Sequence, residues 1–371
     1  MNKVVFHVDD SRNLRGGERQ VLYLATGLEK LGGRSFIVCR ARSPLDKEAR
    51  KLGIETIHVP FLFEGDILSA FLLARRIKAV IRRLGPGTLP ILHAHTGHAA
   101  AAVHLAGRFI PALKIVHRRV DFRPGGSSAS IRKYQNADLV IALSAAIERI
   151  LTESGVDGRK IRVIPSAVDL AAFERSPDGG IRKRLWGELN IPADALVIGS
   201  LMAMVPHKDP LNLIAAAEKV VQADDHCRFI IAGEGPLLEI ARALVERLGM
   251  TDRIHLPGYR GDNADLLRAM DVFVLSSREE GLGSSIIEAM AGGLPVVGTD
   301  AGGIPELIED GRNGFVVPKE NPEALAQAIL RLAGDADMRA GMGRSSYEMS
   351  RQYSIERMAA ETLAAYDSVT K

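Results

Sequence analysis

The 371 residues include only two cysteines, Cys39 and Cys227. They lie far apart, each in an apolar run, and read as buried free thiols suited to a reducing cytosol. No apolar run approaches the roughly 20 residues that a bilayer-spanning helix needs. The opening MNKVVFHVDD lacks the apolar core of a signal peptide and reads as a first strand. No period of about 20 to 50 residues repeats exactly, and nothing is low-complexity. No G-x-G-x-x-G follows the run VVFHV (Val4 to Val8), which speaks against a dinucleotide dehydrogenase.

What is present is ordinary in bulk and uneven in detail. Apolar residues make up 46% and charged residues 25%, the balance of a soluble globular protein. The length suits two domains better than one core. The net charge of +3 conceals a split: up to Arg175 there are 28 Lys+Arg against 16 Asp+Glu, so that part carries +12 and the remainder −9. Two bodies with different partners are implied. A basic first half favours a phosphorylated ligand, an anionic membrane surface or nucleic acid.

Short apolar runs alternate with helical-period segments throughout. In the first half they are Val4 to Val8, Phe36 to Cys39, Ile91 to His95, Lys114 to His117, Leu139 to Leu143 and Ile161 to Pro165. In the second half they are Leu196 to Leu201, Arg228 to Gly233, Arg253 to Gly258, Val272 to Ser276, Pro295 to Thr299 and Phe315 to Pro318. Nearly continuous apolar strands separated by helices predict parallel sheets covered on both faces. The fold class is therefore α/β, with two doubly wound Rossmann-like domains facing across a cleft. Residues 1–170 form the first domain and 193–352 the second. Residues 171–192, with the breaker cluster RSPDGG (Arg175 to Gly180), form a linker. Residues 353–371 form a closing amphipathic helix.

The densest signal is REEGLGSSIIEAMAGGLPVVGTDAGGIPE, from Arg278 to Glu306. A buried strand ends in a loop with Gly281 and Gly283, and a helix starts near Ser284. Glycines let backbone amides approach a ligand, and a helix start after such a loop is a natural anion site. Glu280 precedes that point and Glu288 lies inside the helix. Carboxylates are strong acceptors for paired hydroxyls. One glutamate for each ring of a nucleotide sugar, with the diphosphate between, fits the layout.

This stretch, continued to Pro318, resembles the donor-site region of the GT-B retaining glycosyltransferases of family 4. They carry E-x7-E, then a G-[LI]-P-V-V strand, then G-G-x-x-E. RGGERQVLYLATGLEKLG resembles that family's first glycine loop and helix. VIPSAVDLAAF (Val163 to Phe173) resembles its interdomain junction, with Ser166 and Ala167 in place of Asn and Gly, and IIAGEGP (Ile230 to Pro236) resembles its G-x-G-P turn.

The resemblance implies roles. Glu288 would hold the ribose hydroxyls and Glu280 hydroxyls of the donor sugar. Gly281, Leu282, Gly283 and Ser284 would present backbone groups to sugar and diphosphate. Gly16 and Gly17 would approach the diphosphate from the other domain. Lys208 would neutralise the departing phosphates. His117, at a strand end, would contact the donor sugar. Glu234, Gly235, Tyr259 and Arg260 would lie near the base. The closing helix would pack back on the first domain. The sequence departs from the family in one place: Ala203 stands where an arginine commonly precedes the lysine, leaving His207, Arg278 or Arg118 to compensate.

The expected reaction moves a sugar from a UDP- or GDP-sugar to a glycan or lipid-linked acceptor, with retention, in bacterial cell-surface polysaccharide or lipopolysaccharide synthesis. No metal or other cofactor and no nucleic acid is expected. His93, His95 and His98 have a metal-like spacing but no matching Cys/Asp/Glu set, and Asp9 and Asp10 read as a strand-end loop pair. Arg75, Arg76, Lys78, Arg82 and Arg83 fall within roughly a 160° arc of one helix, with Ile67, Phe71, Leu73, Ile77 and Ile81 on the opposite stripe. That helix either packs with a solvated basic face or docks on the inner membrane, making the protein cytoplasmic or peripheral. Two alternatives remain: a GT-B-fold sugar-nucleotide epimerase, and a non-catalytic nucleotide-sugar-binding scaffold, the latter motivated by Ala203.

Overall fold

The computed structural model describes residues 2–124, 128–173 and 180–370. The chain divides into two compact units. One holds the residues up to Ala167 together with those from Ile355 onward, and the other runs Val168–Ser354.

The first unit contains seven strands: β1 (Asn2–Val8), β2 (Arg34–Cys39), β3 (Glu55–His58), β4 (Thr88–Ala94), β5 (Leu113–Arg118), β6 (Leu139–Ala142) and β7 (Ile161–Val163). They pair in the order β3-β2-β1-β4-β5-β6-β7, and every pairing is parallel. Apolar runs dominate because helices cover both faces: Val4, Val5, Phe6 and Val8 of β1 are all buried. The sequence missed β3. Its ETIH has an exposed residue followed by three half-buried ones, so an edge strand shows no apolar run.

The Ile355–Ser368 helix returns to this unit. It packs along the Gly16–Lys30 helix and shares a core with Leu24, Leu28, Ile141, Met358 and Tyr366. Gln20 fastens the unit's exit. Its side-chain amide donates to the Ala167 carbonyl at 2.7 Å and accepts from the Ala167 amide at 2.8 Å.

The second unit has β8 (Leu196–Leu201), β9 (Cys227–Ala232), β10 (Ile254–Gly258), β11 (Val272–Leu275), β12 (Val296–Thr299) and β13 (Gly314–Val317). Their order is β10-β9-β8-β11-β12-β13, again parallel. Both sheets change direction once, at β1/β4 and at β8/β11. Ligands of such sheets sit beyond the carboxyl ends of the strands at that switch point.

The stretch expected as a linker is mostly packed structure where it is described. Residues 175–179 of the RSPDGG cluster lie outside the described residues. The Gly180–Glu188 helix that follows belongs to the second unit. Trp186 Nε1 donates to the Ala269 carbonyl at 3.0 Å, and Arg182 holds both oxygens of Asp271 at 2.9 and 2.7 Å. A buried tryptophan and a two-bond ion pair anchor the helix to β11's approach.

Candidate active site

In the second unit the site is built where β8 and β11 end. The chain leaves β11 through Ser276 and Ser277, both fully buried. Ser276 Oγ donates to the carbonyls of Lys208 and Asp209 at 3.2 and 3.0 Å. The His207 carbonyl accepts from the amides of Arg278 and Glu279 at 2.8 and 3.2 Å. These bonds lock the β8 loop to the β11 loop. Lys208 Nζ thereby contacts Glu280 Oε2 directly, with the two side chains 20% and 11% exposed. Ser277 Oγ donates to the same oxygen at 3.3 Å. The two residues assigned to phosphate and sugar are an ion pair, which the sequence did not reveal.

Beyond Glu280, Leu282 is buried and Gly283 adopts φ 100°, a left-handed conformation open to glycine. Gly283 then starts the Ser284–Ala291 helix, whose first turn has no side-chain cap. Its leading amides are therefore available to an anion. Glu288 lies partly buried in the second turn.

Gly233 and Gly235 have a packing reason. An added Cβ on Gly233 would sit 1.7 Å from the Met202 carbonyl oxygen, and one on Gly235 would sit 2.4 Å from that of Met204. The G-x-G turn lies flush against the β8 loop, where Met204 N donates to the Glu234 carbonyl at 2.9 Å. The exposed Glu234 side chain is thus held beside the exposed Ala203.

Tyr259 is 72% exposed. Arg260, the next residue, is held by two carboxylates. Its Nε and Nη2 bond Asp262 at 2.9 and 2.8 Å, and Nη1 contacts Glu188. With both guanidinium edges held by carboxylates, it braces the Gly180–Glu188 helix. Arg278 and Arg118 are likewise committed. Arg278 grips Asp209 at 2.7 and 3.1 Å. Arg118 donates to the Tyr134 hydroxyl at 2.8 Å and contacts the Phe122 carbonyl. His207 is exposed beside Lys208.

In the first unit, a layer of histidines fills the carboxyl ends of β1, β4 and β5. His7, His93, His95 and His117 are all at most 5% exposed. His7 Nδ1 and His95 Nε2 pair at 3.0 Å, and His93 Nδ1 pairs with the Tyr366 hydroxyl at 2.6 Å. His117 stacks on His93 with centroids 5.6 Å apart. Arg119 Nη2 lies 3.3 Å from His117 Nδ1 and 3.4 Å from His95 Nδ1. Burial, aided by Arg119, pushes His7 down to about 3 and the other three well below their ordinary value. Burial lowers Arg119 to about 10 and raises Asp9 to about 6.

His117, His95, Arg119, Lys133 and Tyr134 line a pocket of about 500 Å³. His117 Nε2 and Arg119 Nε and Nη1 carry no hydrogen-bond partner among the described residues. Sequence reasoning missed His7, Arg119 and Tyr366. The position of His7 at the end of the central strand was the available signal. A larger pocket of about 670 Å³, lined by Gly292, Arg339 and Tyr347, contains none of the expected site residues.

His98 stands apart on the surface, 3.2 Å from Asp10. His7, His93 and His95 instead bring ligand-type atoms within 4.8 Å of one another. The Arg119 guanidinium against His95 places positive charge where a bound cation needs the opposite. Gly16 and Gly17 open the first helix, whose Arg15 amide donates to Glu18 Oε2 at 2.6 Å. Nothing lies within 4 Å of a Cβ built on Gly17.

Comparisons with known proteins bear on the family and the fold. Residues 14–172 match the family described as Glycosyltransferase Family 4, and residues 193–335 match Glycosyl transferases group 1. The lipopolysaccharide core biosynthesis glycosyltransferase LpsE of Rhizobium meliloti (strain 1021) is 27% identical over 90% of each chain. A D-inositol 3-phosphate glycosyltransferase of Xylanimonas cellulosilytica is 28% identical over 95% of this chain and 91% of its own. Anabaena Alr3699/HepE, crystallised with UDP and glucose, superposes with a TM-score of 0.85 at 22% identity, covering 99% and 100% of the two chains. The fold is GT-B, and the chain belongs to glycosyltransferase family 4.

Proposed function

We propose that the protein transfers a sugar from a nucleoside-diphosphate sugar to a glycan or lipid-linked acceptor, retaining the anomeric configuration and using no metal, in cell-surface polysaccharide or lipopolysaccharide synthesis. The Lys208–Glu280 pair beside an uncapped helix start carries this reading. A diphosphate needs backbone donors and a cation, and a sugar needs carboxylate acceptors. The β8 and β11 loops supply all three within one tied structure.

In this reading Gly281 to Ser284 receive the diphosphate and Lys208 balances the charge that grows as the sugar departs. Glu288 holds the ribose and Glu280 the sugar hydroxyls. His117, kept neutral by burial, accepts or donates a hydrogen bond to the donor sugar without adding charge. Gly16 and Gly17 leave room for the diphosphate. The UDP and glucose of HepE favour a UDP-sugar, and LpsE favours a lipopolysaccharide-type acceptor.

The test combines melting shifts with UDP-, GDP-, ADP- and TDP-sugars and a release assay for the free nucleotide. Glu288→Ala should weaken nucleotide binding about 10- to 150-fold, the value of one or more charge-assisted hydrogen bonds. Glu280→Ala should lower turnover with a smaller change in affinity. Release that requires added acceptor separates transfer from epimerisation. Wild-type behaviour of both variants would overturn the assignment.

A further inference from the structure

The Ile67–Leu84 helix has its core stripe on Leu73, Ala74 and Ile77, all at most 1% exposed. Ile67 and Phe71, expected on that stripe from the sequence, face outward at 66% and 47% exposure. At about 100° per residue they share one outward half of the helix with Leu68, Arg75, Lys78 and Arg82. That half is divided along its length. Its first turns are apolar and its last turns basic, and Phe71 and Arg82 stand roughly 16 Å apart at 1.5 Å per residue.

The apolar end is extended by its neighbours. Leu62 is 58% and Phe63 68% exposed in the preceding loop. Phe109, which follows the adjacent Gly97–Ala106 helix, meets Phe71 edge-on with centroids 5.8 Å apart. The loop is pinned at both ends. Arg40 grips the carbonyls of Pro60 and Phe61. Buried Asp66 accepts from the Leu62 amide at 3.3 Å and the Leu68 amide at 2.9 Å. Leu62 and Phe63 are therefore held outward by bonded backbone.

The charges are also unspent. Arg83 pairs with Glu55 at 2.7 Å, and Arg76 rests on the His58 carbonyl. Arg75, Lys78 and Arg82 have no ion pair among the described residues. The nearby acid Glu64 is taken by Lys133 at 2.6 Å.

We infer that this face seats the protein on an anionic lipid bilayer, with Leu62, Phe63, Ile67, Leu68 and Phe71 entering the acyl boundary and Arg75, Lys78 and Arg82 lying against the headgroups. Clustered exposed side chains of this size mark an interaction surface. The adjoining cations select a negatively charged, apolar-backed partner. A second copy of the chain would offer the same cations and no compensating acids from this face. No described helix is long and apolar enough to cross a membrane, so the association is at the surface. Leu62 also borders a pocket with Asp10, Thr96 and His98, and Glu64 borders the pocket of His117. The loop that enters lipid thus edges the strand ends where an acceptor would be presented. The benefit of that arrangement rests on the lipid-linked acceptor proposed above.

The experiment is flotation of the full chain with vesicles of phosphatidylcholine alone or phosphatidylcholine mixed with phosphatidylglycerol. Wild type should float only with the mixed vesicles, and added salt should release it. Removing all three charges (Arg75→Gln, Lys78→Gln, Arg82→Gln) should weaken partitioning roughly a hundredfold, at about fivefold per cation. Phe63→Ser with Phe71→Ser should abolish flotation at any salt. Both variants should keep the wild-type circular dichroism and nucleotide-induced melting shift, which separates lost docking from lost folding. Absence of wild-type flotation, or wild-type flotation of either variant, would overturn the inference. A dimer in solution that Phe63→Ser dissolves would assign the face to a second copy and overturn it equally. Vesicle binding requires neither donor nor acceptor, so its failure leaves the transfer reaction standing, and inactivity of the enzyme leaves the docking result standing.

Discussion

Acidification should unfold the first unit selectively. An imidazole that stays neutral in the fold but takes a proton when unfolded makes the unfolded chain the better proton binder below pH 6.5. Stability therefore falls as the pH falls through that value. His7 remains neutral down to about 3, and His93, His95 and His117 are also held well below 6.5 by burial. Between pH 7.5 and 5.5 a histidine that stays neutral in the fold throughout removes about 1.4 kcal/mol, so the four set a ceiling of about 5.5 kcal/mol. Asp9 acts with the opposite sign. Its folded carboxyl, raised to about 6, is protonated before the unfolded one, which returns about 0.8 kcal/mol. The net loss is therefore at most about 4 to 5 kcal/mol, a large fraction of a domain's stability. Urea titrations at the two pH values should show it in the far-ultraviolet ellipticity change of the first unit. Trp186, the chain's single tryptophan, sits buried in the second unit and serves as an internal control. That unit holds His255, lowered by burial, so its fluorescence transition should shift by no more than about 1.4 kcal/mol. A first-unit change below about 1 kcal/mol would mean that the layer is charged in the fold, and the account of its packing would fail.

Two further substitutions test the scaffold. Gly233→Ala, whose methyl would overlap the Met202 carbonyl at a φ of 154°, should destabilise the second unit by about 3 kcal/mol or more, read from Trp186 fluorescence in urea. Retention of wild-type stability would contradict the flush contact of the two loops. Tyr366→Phe removes the hydroxyl paired with His93 and should cost the first unit about 1–3 kcal/mol without altering nucleotide affinity. An equal loss in both measurements would show that the closing helix influences donor binding.

The β11–loop–helix passage was legible because its information is local. Glu280, Gly283 and Glu288 lie within one strand–loop–helix passage, and the apolar runs around them announced the strands. The contact between Lys208 and Glu280 was not, because it spans 72 positions and depends on the order of β8 and β11. The histidine layer needed still longer reach: His7 meets His95 across 88 residues, and His93 meets Tyr366 across 273. Arg260 matched a motif position, yet Glu188, 72 residues earlier, claims one side of it. Ile67 and Phe71 fitted the apolar period of their helix, but the buried stripe runs through Ser69, Ala70, Leu73, Ala74 and Ile77 and leaves them outside. Periodicity counts apolar residues and does not say how many the core can accept.

The return of the Ile355–Ser368 helix to the first sheet bears on how the protein is made. All of Val168–Ser354 must be synthesised before that helix leaves the ribosome, an interval of roughly 10–40 s at about 5–20 residues per second. Throughout it, the nascent amino-terminal sheet lacks the phenol that completes its histidine layer, and the aliphatic flank of its first helix stays bare. The second unit is contiguous and is complete at Ser354, before the helix that closes the first unit has emerged. The half that emerges earliest is thereby the last to be completed.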